Sequence, residues 1–203
     1  MKPRIAFVTL VMLACLGAAA LYPTARAQAT NASADETAWF VVDPVHSTLI
    51  FAIDHMGLTT FYGRINSPTG EFQFNLSDPT ASSFEISVKA EDIDTGADDR
   101  DKHLKSGDFF DAKQFPEITF KSTAVTRSGK ATFAVTGNVT LHGITKPINA
   151  VIEHIGTKDT PGGTKSGFTA KFTIKRSDFG MTYGKGMIGD EVTLMIGIEG
   201  RKK

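Results

Sequence analysis

Glu71-Phe72-Gln73-Phe74-Asn75-Leu76 places an apolar side chain at every second position and a polar one between each pair. In an extended chain successive side chains point to opposite faces, so Phe72, Phe74 and Leu76 share one side while Glu71, Gln73 and Asn75 share the other. One dry face and one wet face is the pattern of a half-buried β-strand, because the 3.6-residue period of a helix would scatter the same six side chains around its axis.

The alternation continues in both directions. Phe84, Ile86 and Val88 alternate with Glu85, Ser87 and Lys89, and Phe168, Ala170, Phe172 and Ile174 alternate with Thr169, Lys171, Thr173 and Lys175. Ile118 and Phe120, then Phe133, Val135, Val139 and Leu141, then Val192, Leu194, Ile196 and Ile198 repeat the theme. With Leu49–Ile53 and Ile148–Ile155, about eight strands are predicted, joined by the turn-forming runs Ser67–Gly70, Arg127–Lys130 and Thr160–Lys165. Only Asp98–Phe110 reads as a helix, with acids at its start and Leu104 and Phe109 as its apolar contacts. The predicted class is all-β with a short helix. Short connections favour antiparallel neighbours, and closure into an eight-stranded antiparallel β-barrel hides the sheet edges.

The chain has 203 residues, 22 Lys and Arg against 22 Asp and Glu, and one cysteine. Balanced charge without a basic block argues against a nucleic-acid binder. Residues 1 to 27 follow the plan of a secretory signal: Lys2 and Arg4, an apolar run from Ile5 to Leu21, then Ala25-Arg26-Ala27, with cleavage expected after Ala27. Cleavage would take away the only cysteine, Cys15, and leave 19 basic against 22 acidic side chains with no stable membrane span. Residues 28–38 are small and polar and read as a flexible leader, with the folded domain spanning 39–203.

Fifteen phenylalanines against one tryptophan and three tyrosines make the inward face broad and poor in hydrogen-bond donors. Two readings of that face stand side by side: a packed core, or a sleeve for a long apolar ligand. Polar residues at strand ends could form a mouth, at Asp43–Ser47, His55–Gly57, Arg64, His142–Lys146 and Arg176–Asp178, although the same residue types also serve ordinary turns. No nucleophile elbow, nucleotide cradle or tight His/Asp metal spacing accompanies them, so neither a metal nor a catalytic set is predicted. Gly184–Gly189 has glycines in a loosely nucleotide-like spacing but no helix after it, and reads as a loop.

Five runs in order resemble the YceI-like family of bacterial lipocalin-like, polyisoprenoid-binding proteins: Asp43–Ser47 with His55–Gly57, Phe109–Pro116, Ile118–Ser122, Gly137–Pro147 and Arg176–Met181. The resemblance implies an extended lipocalin-like barrel, secreted to the periplasm, that holds an isoprenoid lipid such as a polyprenyl phosphate or a ubiquinone tail. It implies no enzyme and no cofactor beyond that ligand. On this reading the sleeve is expected from Phe72, Phe74, Phe84, Ile86, Phe120, Phe133, Phe172 and Leu194, and the mouth from His46, Arg64, His142 and Arg176. The rivals are an enzyme acting on a lipid or quinone with His46 or His142 as general base, and an envelope stress protein whose barrel is simply full. Pairing into a homodimer is left open.

Overall fold

In the computed structural model, which describes residues 37–203, the alternating runs form eleven antiparallel strand segments and one helix. In chain order they are β1 (Ala38–Val42), β2 (Thr48–His55), β3 (Thr59–Ile65), β4 (Thr69–Phe74), β5 (Ser83–Lys89), β6 (Ile93–Asp94), α1 (Asp98–Leu104), β7 (Glu117–Arg127), β8 (Thr132–Leu141), β9 (Ile144–Thr160), β10 (Gly163–Lys175) and β11 (Ile188–Lys202). The expected signal segment and most of the leader lie outside the described residues. Among the described residues no helix is long and apolar enough to cross a membrane.

Eleven segments make eight strands, because three strands are each broken once. β1 pairs with β4 while β2 pairs with β3, and β4 pairs with β5 while β3 pairs with β6. The breaks fall at residues 43–47, 66–68 and 90–92, where Asp43-Pro44, Ser67-Pro68 and a short 3-10 turn interrupt the ladder. Proline cannot donate to a ladder, and Ser67 adopts a left-handed φ of 54°. The remaining ladder runs β5–β7–β8–β9–β10–β11.

β11 closes the ring. On one side it pairs with β10 from Lys165↔Arg201 to Lys175↔Glu191. On the other its first part pairs with β2 and its last three residues pair with β1, Val42↔Gly200 to Phe40↔Lys202. The result is a closed eight-stranded antiparallel barrel, as the alternation predicted.

The helix is shorter than the sequence pattern suggested. Three acids, Asp98, Asp99 and Asp101, favour its positive N-terminal end. After Leu104 the chain folds back, with Phe110 N–H donating to Leu104 O and Asp111 N–H to Ser106 O. The β5–β7 ladder stops at Lys89↔Glu117, and β6 pairs with β3 alone. Leu104, Phe109 and Phe110 fill the wall beyond that point.

One end of the barrel is plugged. Phe40, Phe72, Phe74, Phe84, Phe133 and Phe168 pack there with Val42, Val125 and Val135. Phe72 stacks between Phe40 at 5.0 Å and Phe84 at 5.6 Å, and Phe168 meets Phe72, Phe74 and Phe84 edge-on. Each fully buried phenylalanine of this kind stabilises the fold by about 1.5–3 kcal/mol.

Candidate binding cavity

Two chambers run inward from the unplugged end. The inner one occupies about 970 Å3 between its atoms, part of it shared with solvent, and is walled by Phe84, Ile86, Phe120, Ala170, Phe172 and Ile196 among others. Ser87, Thr119 and Thr169 border it through their backbone, because the alternation that turns Ile86, Phe120 and Ala170 inward puts these hydroxyls on the outer face. The outer chamber, about 1340 Å3 by the same measure, is walled by Phe51, Phe61, Leu104, Phe109, Phe110 and Met181, with Asp54, His55, Thr59, Arg100 and Arg176 as its polar members. Leu49, Ile118, Val139 and Leu194 line both chambers, so the two adjoin and together make up the apolar passage of the barrel.

The expected sleeve residues divide by depth. Phe84, Ile86, Phe120, Phe172 and Leu194 line the inner chamber, and Leu194 lines the outer one as well. Phe72, Phe74 and Phe133 do point inward but sit below the passage, in the plug. Alternation reports which face a side chain takes and carries no information about its height along the barrel axis.

The four expected mouth residues are not brought together. Arg64 projects outward from β3, 60% exposed at its side chain, and pairs with Asp94 at 2.5 Å; that hydrogen bond holds the Asp94 carboxyl below its usual value. His46 lies at the β1/β2 break, 2.8 Å from Asp43, whose carboxyl its hydrogen bond holds down at about 2. There Asp43 also accepts the Val45 N–H, and Ser47 Oγ accepts the Glu199 N–H, so the Asp43–Ser47 run fastens the break to β11. Asp43, His46 and Glu199 offer ligand atoms within 4.8 Å of one another. The Lys165 ammonium, 2.6 Å from Glu199 and 3.6 Å from Asp43, supplies positive charge to the group.

His142 and Gly143 form the two-residue tip of the β8–β9 hairpin, at φ 52° and 72°. The His142 Nδ1–H donates to Phe179 O at 3.0 Å, and the ring packs edge-on against Phe115. That carbonyl can only accept, so Nδ1 carries the proton. Neither His46 nor His142 lines a chamber, which leaves no imidazole of this pair within reach of a ligand inside the passage.

Arg176 alone of the four reaches the passage. It is 5% exposed, and its guanidinium donates to four carbonyls: Gly189 O (2.8 Å), Met181 O (3.0 Å), Tyr183 O (2.8 Å) and Ile188 O (3.1 Å). Burial pushes its pKa down from the usual arginine value and Asp190 opposes the shift. The side chain thus fixes the 181–189 loop and places a cation in the wall of the outer chamber.

Sequence reasoning missed most of the outer chamber. Phe61 lies on β3, whose pattern is interrupted by Gly63 and Arg64, while Phe110 and Met181 lie on irregular chain without a period. Arg100, stacked 4.4 Å above the Phe61 ring, was hidden in a stretch that reads as a polar helix.

A closed antiparallel barrel with an apolar passage through its interior belongs, by architecture, to the lipocalin-like class. The chain belongs to the YceI-like domain family, whose model matches residues 40–200. It is 37% identical over 193 residues to a UPF0312 protein of Pseudomonas aeruginosa strain LESB58, covering 95% of this chain and 96% of the relative. Its fold matches the crystal structure of Burkholderia cenocepacia BcnA with a TM-score of 0.72 at 21% identity, over 78% of this chain and 98% of that one. It also matches a polyisoprenoid binding domain from Saccharophagus degradans, implicated in plant cell wall breakdown, with a TM-score of 0.62 at 14% identity, over 83% of this chain and 100% of that one.

Proposed function

We propose that this protein is a carrier without chemistry of its own, which takes one isoprenoid lipid, a polyprenyl phosphate or a ubiquinone-type molecule, into the passage between plug and mouth. The two adjoining apolar chambers carry the reading. An inner chamber walled by apolar side chains offers an apolar chain contact along its whole length and asks for no head group there. Burial of apolar surface at ~25 cal/mol per Å2 would then supply most of the affinity. The polyisoprenoid binding of the Saccharophagus domain supports an isoprenoid in this fold. The secretory plan of residues 1–27 supports export, and hence a periplasmic carrier.

Native mass spectrometry of protein purified from its own cell envelope, followed by organic extraction, tests the reading. A stoichiometric isoprenoid is expected, and Ala170→Phe, which puts a ring into the inner chamber, should reduce its occupancy at least about tenfold. A clean apo mass that also resists loading with polyprenyl lipids would overturn the carrier in favour of a full barrel.

A further inference from the structure

The unplugged end carries a group of apolar side chains that face water. Leu58 is 80% exposed, Met187 56%, Met56 53% and Tyr183 46%. Met56 and Gly57 form the tip of the β2–β3 hairpin, and Met56 N–H donates to Met187 O at 2.7 Å, which ties the tip to the 181–188 loop. The flanking residues His55, Thr59 and Ile188 line the outer chamber, so this rim borders it on one side. The tip has φ above zero at both central residues, 61° at Met56 and 68° at Gly57. Such turns favour asparagine or glycine at the first position, so a bulky apolar side chain there works against the local backbone.

Charge is distributed to match. Within His55–Thr60 and Met181–Gly189 the only formally charged side chain is Lys185. The acids that bound these segments are turned to the backbone: Asp54 accepts the Gly57 N–H at 2.9 Å, and Asp190 accepts from Ser177 N–H and Oγ–H. The neighbouring α1 region, whose His103 touches Tyr183, brings acids and bases together, Asp98, Asp99, Asp101 and Asp108 with Arg100, Lys102 and Lys105. The apolar projections and Lys185 of the two segments are therefore what suits a phospholipid interface, where apolar groups enter the acyl boundary and a lysine meets phosphate.

We propose that this rim docks on a phospholipid bilayer, so that a lipid passes between bilayer and passage without crossing water. The inference rests on the carrier reading. A bilayer is a better match than a protein groove because the apolar side chains border a chamber whose own walls are apolar, next to a single lysine.

Flotation with vesicles tests it, using phosphatidylcholine alone and phosphatidylcholine mixed with phosphatidylglycerol. The wild-type protein should float with both and more strongly with the anionic mixture. The double variant Leu58→Asp, Met187→Asp should lose at least about tenfold in the vesicle-bound fraction, while a polyprenyl phosphate added from ethanol still loads it to the wild-type extent in native mass spectra. Wild-type protein that floats with neither vesicle, or a double variant that floats as well as wild type, overturns docking. So does a wild-type dimer that the double variant dissolves while vesicles go unbound, since the rim would then be an interface between two copies. Loading from ethanol is measured without vesicles, so failure of the carrier reading shows there and failure of docking shows in the flotation.

Discussion

The ring of Phe51 lies across Gly63, its partner on the neighbouring strand, so closely that a β-carbon at Gly63 would fall 2.3 Å from Phe51 Cζ. Close approach of a ring to a glycine recurs with Phe120 and Gly137, which lie diagonally on the paired β7 and β8, and with Phe72 and Gly200, which meet across the intervening β1, at 2.4 and 2.5 Å. In each case the ring covers a glycine of another strand, the neighbouring one for Phe51 and Phe120 and the next but one for Phe72, where a side chain would otherwise stand. Glycine is needed at these positions for close approach, which lets the wall curve while keeping large aromatic rings flat against it.

Gly63→Ala should therefore destabilise the barrel by about 1–3 kcal/mol, as overpacking does, in spite of alanine's better backbone entropy. Phe51 must swing away from β3 and into the outer chamber, so occupancy by an isoprenoid should fall as well. Urea unfolding together with native mass spectrometry checks both, and wild-type stability in the variant would show that the ring is free to move.

Arg176→Met keeps the length of the side chain and removes the cation from four carbonyls. Hydrogen bonds to charged groups contribute about 1.5–3 kcal/mol each, with partial compensation from water at the loop, so a net loss of about 3 kcal/mol is expected. Amide exchange in 181–189 should rise more than in the strands. Arg176→Lys should recover little, because an ammonium cannot reach four carbonyls spread around a planar fork.

His154 points inward beside the plug, with its ring 4.8 Å from Phe74 and 5.0 Å from Phe168, and hydrogen-bonds Thr157 and Ser166. Burial lowers its pKa below the usual 6.5. With the folded value depressed, the unfolded chain binds the extra proton more readily, so this residue's contribution to stability is present above pH 6.5 and declines as the pH falls towards the folded value. Thermal unfolding of wild type and His154→Gln across pH 7.5 to 5 should show a steeper fall for wild type; parallel curves would remove His154 as the cause.

Met56→Asn should raise stability by about 0.5–1 kcal/mol, because asparagine tolerates the left-handed tip that methionine resists. That corresponds to a Tm about 1–4 °C higher for a domain of this size. Differential scanning calorimetry decides it.

How far the sequence could be read follows from what alternation encodes. Period two picks out residues on β2, β4, β5 and β7 to β11, because each of those segments keeps one face on the interior for several residues. β1, β3 and β6 escape it. β1 and β6 are the short halves of strands interrupted at Asp43-Pro44 and Ala90–Asp92, and β3, no shorter than its other half, has its pattern broken by Gly63 and Arg64; turn residues look like chain ends whether the strand stops or merely bends. The same limit explains the site. Phe84 and Phe72 have the same pattern and are cross-strand partners, yet one lines the inner chamber and the other is sealed in the plug. His142 and Arg64 looked alike as polar groups near strand ends. Their partners, Phe179 O and Asp94, are 37 and 30 residues away and visible only once the chain is folded.

β11 follows every other segment in the chain, and it alone joins β10 to both halves of the first strand. During synthesis the ten preceding segments have left the ribosome before the one that unites them. Pairing Phe40 with Lys202 brings together residues at opposite ends of the domain, a contact that carries a large loop-closure cost and slows folding. Until then the nascent chain can form hairpins but no ring, and it keeps its apolar faces open to chaperones. A chain stopped short of Ile188 would yield an open, sticky sheet in place of a smaller barrel.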